Sequence, residues 1–259
     1  MMKEQVVRRF AEIFGQDPEL LVYAPGRANL IGEYTDYNEG WVFPRALSMG
    51  TYLAVRCRND TILRTVSPRF DAEDQVDLRD LQFQERLRWT RFVRGVAALL
   101  IERGCDLVGA DILVDSELPV SSGLSSSAAL ELGIAIALTT LADHALDCVA
   151  LARLGQQVEN EIMGMQSGLM DQLAIACGVA GHALLIDCRT VTINPIRVPS
   201  TVRVLVLDSA VSRTLVGVPS TISDGKNVRR PCKHYKPFGH HYKHYAMSLP
   251  ICSILVQHT

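Results

Sequence analysis

Residues 118–131 read LPVSSGLSSSAALE, and the fold turns on them. An extended apolar run, GADILVDSELP from Gly109, ends at Leu118 and Pro119. A Gly/Ser turn follows. Then SSAALELGIAIALTTLA carries apolar residues on nearly every side, the pattern of a helix buried all round. Strand, turn and helix thus meet where five serines fall within Ser121–Ser127. Small side chains let a ligand approach the backbone, and the unpaired N–H groups of a helix start point outward with the positive end of the dipole. Ser121, Ser122, Gly123, Leu124, Ser125, Ser126 and Ser127 therefore read as an anion cradle suited to phosphates. No Gly-Lys-Ser/Thr follows, so this is not a Walker A loop. Plain N-capping, the commonest use of serine here, needs fewer serines.

Working outward, LLVYAP and GWVFPRALSMGTYLAVRCRND read as strands, with β-branched and aromatic residues punctuated by Gly and Pro. RWTRFVRGVAALLIERG reads as a helix with Phe92, Val96, Leu99 and Leu100 on one face and Gly104 as its stop. DCVALARLGQQVENEIMG reads as another, with Leu151, Leu154, Val158 and Ile162 aligned. GHALLIDCRTVTINPIRV and VRVLVLDS return to strand. Long strand runs followed by helices, without regular alternation, indicate an α+β fold.

Two further stretches carry chemistry. GRANLIGEYTDYNEG, Gly26–Gly40, sets Arg27, Glu33 and Asp36 within ten residues directly after a strand. In VENEIMGMQSGLMDQLAIACG, Glu159 and Asp171 lie twelve apart, with Gly164, Gly168 and the cap-type Ser167 dividing two helical patterns. Asp171 falls in the first turn of the second pattern, where a carboxylate suits the dipole and can accept a hydroxyl proton. A first-turn Asp and a solvated helical Glu are the ordinary alternatives.

A chain of 259 residues with 48% hydrophobic composition buries a core without disulfide or metal staples. A formal net charge of −2 gives no case for nucleic acid or a membrane surface. The seven cysteines are scattered with no CxxC, which points to reduced thiols and the cytoplasm. MMKEQVVRRFAEIFG reads as an amphipathic helix, not a signal peptide.

Together the three stretches resemble the galactokinase branch of the GHMP kinases over residues 6–215. PGRANLIGEYTDYNEGWVFPRAL is similar to that branch's signature, LPVSSGLSSSAALE to the superfamily's ATP motif, and ENEIMGMQSGLMDQLA to the segment with the catalytic aspartate. The resemblance implies a GHMP kinase N-terminal lobe (ribosomal protein S5 domain 2-like) over 1–216, acting as a monomer on galactose and ATP to give galactose 1-phosphate and ADP. It implies that Asp171 is the base at the sugar C1 hydroxyl and that Arg27 stabilises the transferring phosphoryl. Glu33, Tyr34, Thr35, Asp36 and Gly168 would line the sugar pocket, Ser121–Ser127 the ATP phosphates, and Ser127 with Glu159 would hold Mg²⁺. A kinase for N-acetylgalactosamine and a non-catalytic galactose and ATP sensor are the alternatives.

Two departures accompany the resemblance. The family usually has His where this chain has Tyr34; both hydrogen-bond a hydroxyl. After LDSAVSRTLVG the family pattern stops, with KNVRRPC a faint echo of a sugar-contacting stretch. Residues 1–216 carry 20 basic and 27 acidic side chains, whereas 217–259 carry six basic and one acidic, with five of the seven histidines. That break reads as a disordered basic tail of foreign or frame-shifted origin, in place of most of a C-terminal lobe. The chain as written is therefore expected to have little kinase activity. The cluster Cys232, His234, His240, His241 and His244 belongs to this tail, and SLPICSILV near its end is apolar and β-prone.

Overall fold

A computed structural model describes residues 2–83, 89–120, 122–207 and 255–258. Helix α1 (Met2–Phe14) leads into β1 (Leu20–Asn29), β2 (Trp41–Val42), β3 (Pro44–Cys57), β4 (Ile62–Ser67) and β5 (Ala72–Asp77). Then come α2 (Thr90–Glu102), β6 (Ala110–Ser116), α3 (Ser126–Leu141), α4 (Cys148–Gln157), a π-helical turn at Val158–Ile162, and α5 (Met170–Ala176). Strands β7 (His182–Asp187), β8 (Thr192–Arg197) and β9 (Leu255–His258) complete the described elements.

The main sheet runs β5-β4-β6-β3-β1-β9. Its pairs are antiparallel except β4 with β6, the parallel pair that α2 bridges. This is the expected α+β arrangement. The run LLVYAP is apolar at successive positions because β1 is covered on both faces. Leu20, Val22 and Ala24 pack into the large core with α2–α5, and Leu21 packs on the other face with Ala54, Leu113 and α1's Val6 and Phe10. Full burial of one such side chain stabilises by about 1.5–3 kcal/mol. Helix α3 lies across the middle of the sheet. A Cβ on Gly133 would stand 2.5 Å from Leu53 Cδ1, so this glycine sets how closely helix and strand approach. At the far end Arg94 of α2, 2% exposed, pairs with Asp74 of β5 at 2.9 and 2.5 Å.

A smaller sheet, β2-β7-β8, hangs from the loop that leaves β1. Trp41 pairs with Asp187, and the Cys188 amide donates to Gly40 O at 3.0 Å. Residues 30–40 are thereby tethered at both ends to strands.

Three expectations change. Residues 202–207 of VRVLVLDS form no strand, and Leu205 and Leu207 are 80% exposed; β-prone composition makes no ladder without a neighbouring strand. Residues 208 and 209 lie outside the described residues. The helix expected over 147–164 changes winding at Val158, where the π turn begins. Of the stretch 217–259, read as a disordered tail, Leu255–His258 instead form β9, antiparallel to Leu20–Tyr23. The rest of that stretch, with its Cys/His cluster, lies outside the described residues.

Candidate functional site

Strand β1 positions the first group by breaking its own register. Pairing with β3 runs regularly to Pro25↔Gly50, shifts, and resumes at Arg27↔Ala46. Gly26 stands at the irregularity, where a Cβ would meet Leu118 Cδ2 at 2.5 Å and Leu124 O at 2.7 Å. Only glycine lets the strand approach the serine loop this closely. The Arg27 amide then donates to Leu124 O at 3.2 Å and its Nη1 to Gly123 O at 2.5 Å. The other edge of the guanidinium grips Asp171, with Nε to Oδ1 at 2.7 Å and Nη2 to Oδ2 at 2.6 Å. A bidentate fork of this kind fixes orientation as well as charge.

The serine loop divides its labour. Ser122 Oγ donates to Pro119 O at 2.8 Å, closing the turn, and Gly123 takes φ +78°. Ser125 occupies the N-cap position of α3 at φ +60°, a left-handed conformation rare for a residue with a Cβ. Its hydroxyl makes no cap bond and donates to Asp171 Oδ2 at 2.6 Å. Strain held at a non-glycine residue whose side chain is directed elsewhere marks a position serving a site. Ser126 opens α3, and Leu124 is buried beneath the loop. The α3 ladder starts with the Ala129 amide donating to Ser125 O at 3.0 Å, so the amides before it lie outside the ladder at the positive end of a 16-residue helix. Ser121 lies outside the described residues.

Ser127 faces the π turn and donates to Glu159 Oε1 at 3.1 Å. Glu159 is 5% exposed, unlike a solvated helix residue. Burial pushes its carboxyl above the ordinary range and the Asp171 charge adds to that, while contacts from Ser167, Gln172 and Ser127 oppose it. Behind it Glu131 of α3 is fully buried and pushed further up, first by desolvation and then by Glu159. Ser127 and Glu159 offer oxygen donors on a buried, carboxylate-rich wall, which fits a hard divalent cation.

Asp171 lies in the first turn of α5, as expected. Ser167 does not cap it: its amide and hydroxyl both go to Asn160 Oδ1, at 2.9 and 3.2 Å. Gly168 instead makes room, since a Cβ there would overlap the Asp36 carboxylate. Asp36 accepts from the backbone amides of Tyr37 and Met170, and burial followed by the Asp171 charge raises it above the usual aspartate value.

The remaining loop residues sit differently. Thr35 Oγ1 lies 2.7 Å from both Gly32 O and Trp41 O, bracing the loop. Tyr34, at φ +63° and half exposed, accepts on its carbonyl from Asn38 Nδ2 at 2.7 Å. Glu33 is exposed and accepts from Asn29 Nδ2 at 3.0 Å. Arg27, Asp36, Ser125, Gly168 and Asp171 thus share one corner, with Ser127 and Glu159 beside it, whereas Glu33 and Tyr34 stand at the rim. Gly26, Glu131 and Gln172 were not among the sequence candidates. The glycine before Arg27 and the lone carboxylate in an apolar helix were the available signals.

Residues 8–57 match the galactokinase galactose-binding signature, and residues 91–179 the N-terminal domain of GHMP kinases. The chain is 48% identical over 208 residues to a galactokinase of Chloroflexus aurantiacus, covering 80% of this chain and 53% of that protein. It is 44% identical over 207 residues to one of Roseiflexus, with the same coverage. The crystal structure of Lactococcus lactis galactokinase complexed with galactose superposes with a TM-score of 0.74 at 35% identity, over 77% of this chain and 52% of that one. The chain therefore spans about half the length of the curated relatives it matches.

Proposed function

The chain belongs to the galactokinase branch of the GHMP kinases, and from that premise we propose that residues 1–216 carry the sugar and nucleotide sites of a transferase moving the γ-phosphoryl of ATP to the C1 hydroxyl of galactose. The observation that carries this reading is the Arg27–Asp171–Ser125 corner. Asp171 Oδ2 takes both Nη2 and Ser125 Oγ, while Oδ1 takes Nε and also lies 2.6 Å from Nη2, so Arg27 and Ser125 together fix the carboxylate in one orientation, as a base that must meet an incoming hydroxyl requires. Asp171 accepts that hydroxyl's proton as the oxygen attacks. Arg27, held against Asp171, keeps a cationic face at the site of the transferring phosphoryl. The loop Ser121–Ser127 and the start of α3 receive the remaining phosphate oxygens. Asp36, accommodated by Gly168, orients the sugar, with Glu33, Tyr34 and Thr35 along the pocket's outer wall. Ser127 and Glu159 would hold Mg²⁺, which supplies neutralisation of phosphate charge when bound.

No described helix is long and apolar enough to cross a membrane, and no disulfide joins the described cysteines. The proposal extends to a monomer in the cytoplasm acting on small molecules, and the net charge of −2 gives no case for a nucleic-acid or membrane partner.

The test fuses this chain to the second half of one of its galactokinase relatives and follows ADP release with Mg²⁺-ATP and galactose. Phosphoryl transfer depends on positioning and water exclusion, so galactose-dependent turnover is expected from the fusion and little from the 259 residues alone. Turnover favouring N-acetylgalactosamine would reassign the substrate. Galactose binding without turnover in the fusion would replace the kinase reading by that of a sensor.

A further inference from the structure

Helices α3, α4 and α5 and the π turn enclose a polar cluster that the proposed transfer does not use. Glu131 and Gln172 are each 0% exposed. Neither carboxylate oxygen of Glu131, and neither polar atom of the Gln172 amide, has an aligned hydrogen-bond partner. Gly155 of α4 leaves the space for both: a Cβ there would stand 3.0 Å from Gln172 Cγ and 3.2 Å from Glu131 Oε2. The Gln172 amide lies within reach of both the Glu131 and the Glu159 carboxyls, and Glu131 within reach of Glu159. A buried carboxyl and amide without aligned partners weaken a core unless they hold another group. The group within their reach is Glu159, which stands on an irregular π turn, where regular helix geometry does not aim its side chain.

We propose that Glu131 and Gln172 are positioning residues for the Glu159 carboxylate, aiming it across the start of α3 at Ser127 so that the two oxygens share one divalent cation. This rests on the reading of Ser127 and Glu159 given above. Gln172 directly follows Asp171, so the same amide ties the helix bearing the base to the cation-facing carboxylate. The atoms involved are the hydrogen-bonding heads of Glu131 and Gln172, which makes the arrangement sensitive to their loss and tolerant of an amide in place of the acid.

The full chain is titrated with Mn²⁺ in the presence of a non-hydrolysable ATP analogue, and free Mn²⁺ is read from its solution EPR signal. Glu131→Leu and Gln172→Met, which keep volume and remove the polar head, are expected to bind Mn²⁺ about 10–100-fold more weakly. Their thermal unfolding midpoints are expected to stay at or above the parent's. Glu131→Gln is expected to retain the parent affinity. A purely structural pair would lower the midpoint and leave the affinity of the folded protein unchanged. If Glu131→Leu does not fold, Gln172→Met decides. Parent-like Mn²⁺ affinity in Gln172→Met, or a Glu131→Gln as impaired as Glu131→Leu, overturns the positioning role, provided Glu159→Gln loses Mn²⁺. A Glu159→Gln that binds Mn²⁺ as the parent does, or a parent that binds none, overturns the ligand role of Glu159 and this inference with it.

Discussion

The inner corner of the site and its outer loop are built on opposite plans. In the corner, charges meet side chain to side chain: Arg27 on Asp171, Ser125 on Asp171, Ser127 on Glu159. In the loop 30–40, bonds run mostly to backbone, as with Thr35 to Gly32 and Trp41 and Asn38 to Tyr34, which leaves the carboxylate of Glu33 at the surface. In the corner the side chains fix one another, which is what the proposed electrostatic role would use. The loop is fixed in shape and leaves acceptors at its surface, as the proposed sugar pocket would require. Asp36 belongs to both, being carried by the loop and lodged against Gly168 and Asp171.

Substitutions should separate the two plans. The largest effect is expected from the corner: Asp171→Asn keeps shape and removes the base, so turnover of the fused enzyme should fall by about 10²–10⁴-fold, while calorimetry shows galactose still bound. Normal turnover would remove Asp171 from the chemistry. Gly168→Ala comes next, because the added methyl overlaps Asp36. It should cost about 1–3 kcal/mol in galactose affinity with ATP affinity preserved, and equal losses for both ligands would dissolve the distinction between corner and loop. Asp36→Asn and Glu33→Gln should raise the galactose KM more than the ATP KM, each within about 1–3 kcal/mol, with the half-buried Asp36 costing more than the exposed Glu33.

Asp36 also gives the loop a pH signature. Its carboxyl is raised by burial and by Asp171, and the ionised form is the acceptor. Galactose affinity should therefore be full at neutral pH and decline on acidification above the ordinary aspartate range, a decline that Asp36→Asn abolishes. The smallest effect is expected from Thr35→Val, which removes the brace to Gly32 and Trp41 and should lower stability by about 1 kcal/mol without altering turnover at saturating galactose.

Strands and helices were legible where one physical pattern held over the whole element. The apolar run of β1, the one-faced α2 and the all-round apolar α3 were all readable from side-chain periodicity. The site was legible as three segments but not as a geometry. Their order says nothing of a register shift that swings Arg27 toward Asp171, nor of a left-handed Ser125 that gives up capping to reach the same carboxylate. The solvated alternative for Glu159 fails because the π turn at Val158–Ile162 sits in the interior, where Glu159 is 5% exposed. Glu131 was hidden by its neighbours, since a helix read as uniformly apolar draws attention away from its one acid. The strand expected at 202–209 failed over 202–207 for want of a ladder partner, whereas β9 takes up Leu255 and Val256 of the stretch read as β-prone; what local sequence could not give is its pairing with β1, since pairing at such separation leaves no local periodicity to read.

Gly26 has a consequence for how two ligands would sense each other. Because it lets the strand rest directly against the serine loop, with the Arg27 amide on Leu124 O and Nη1 on Gly123 O, β1 and the serine loop share a wall with no slack. On the proposed reading, a displacement of the loop by nucleotide would be transmitted to Arg27 and so to Asp171, which Arg27 grips. By thermodynamic linkage, whatever factor nucleotide imposes on sugar affinity, sugar imposes on nucleotide affinity. A side chain at position 26 would prise the wall apart and uncouple the two.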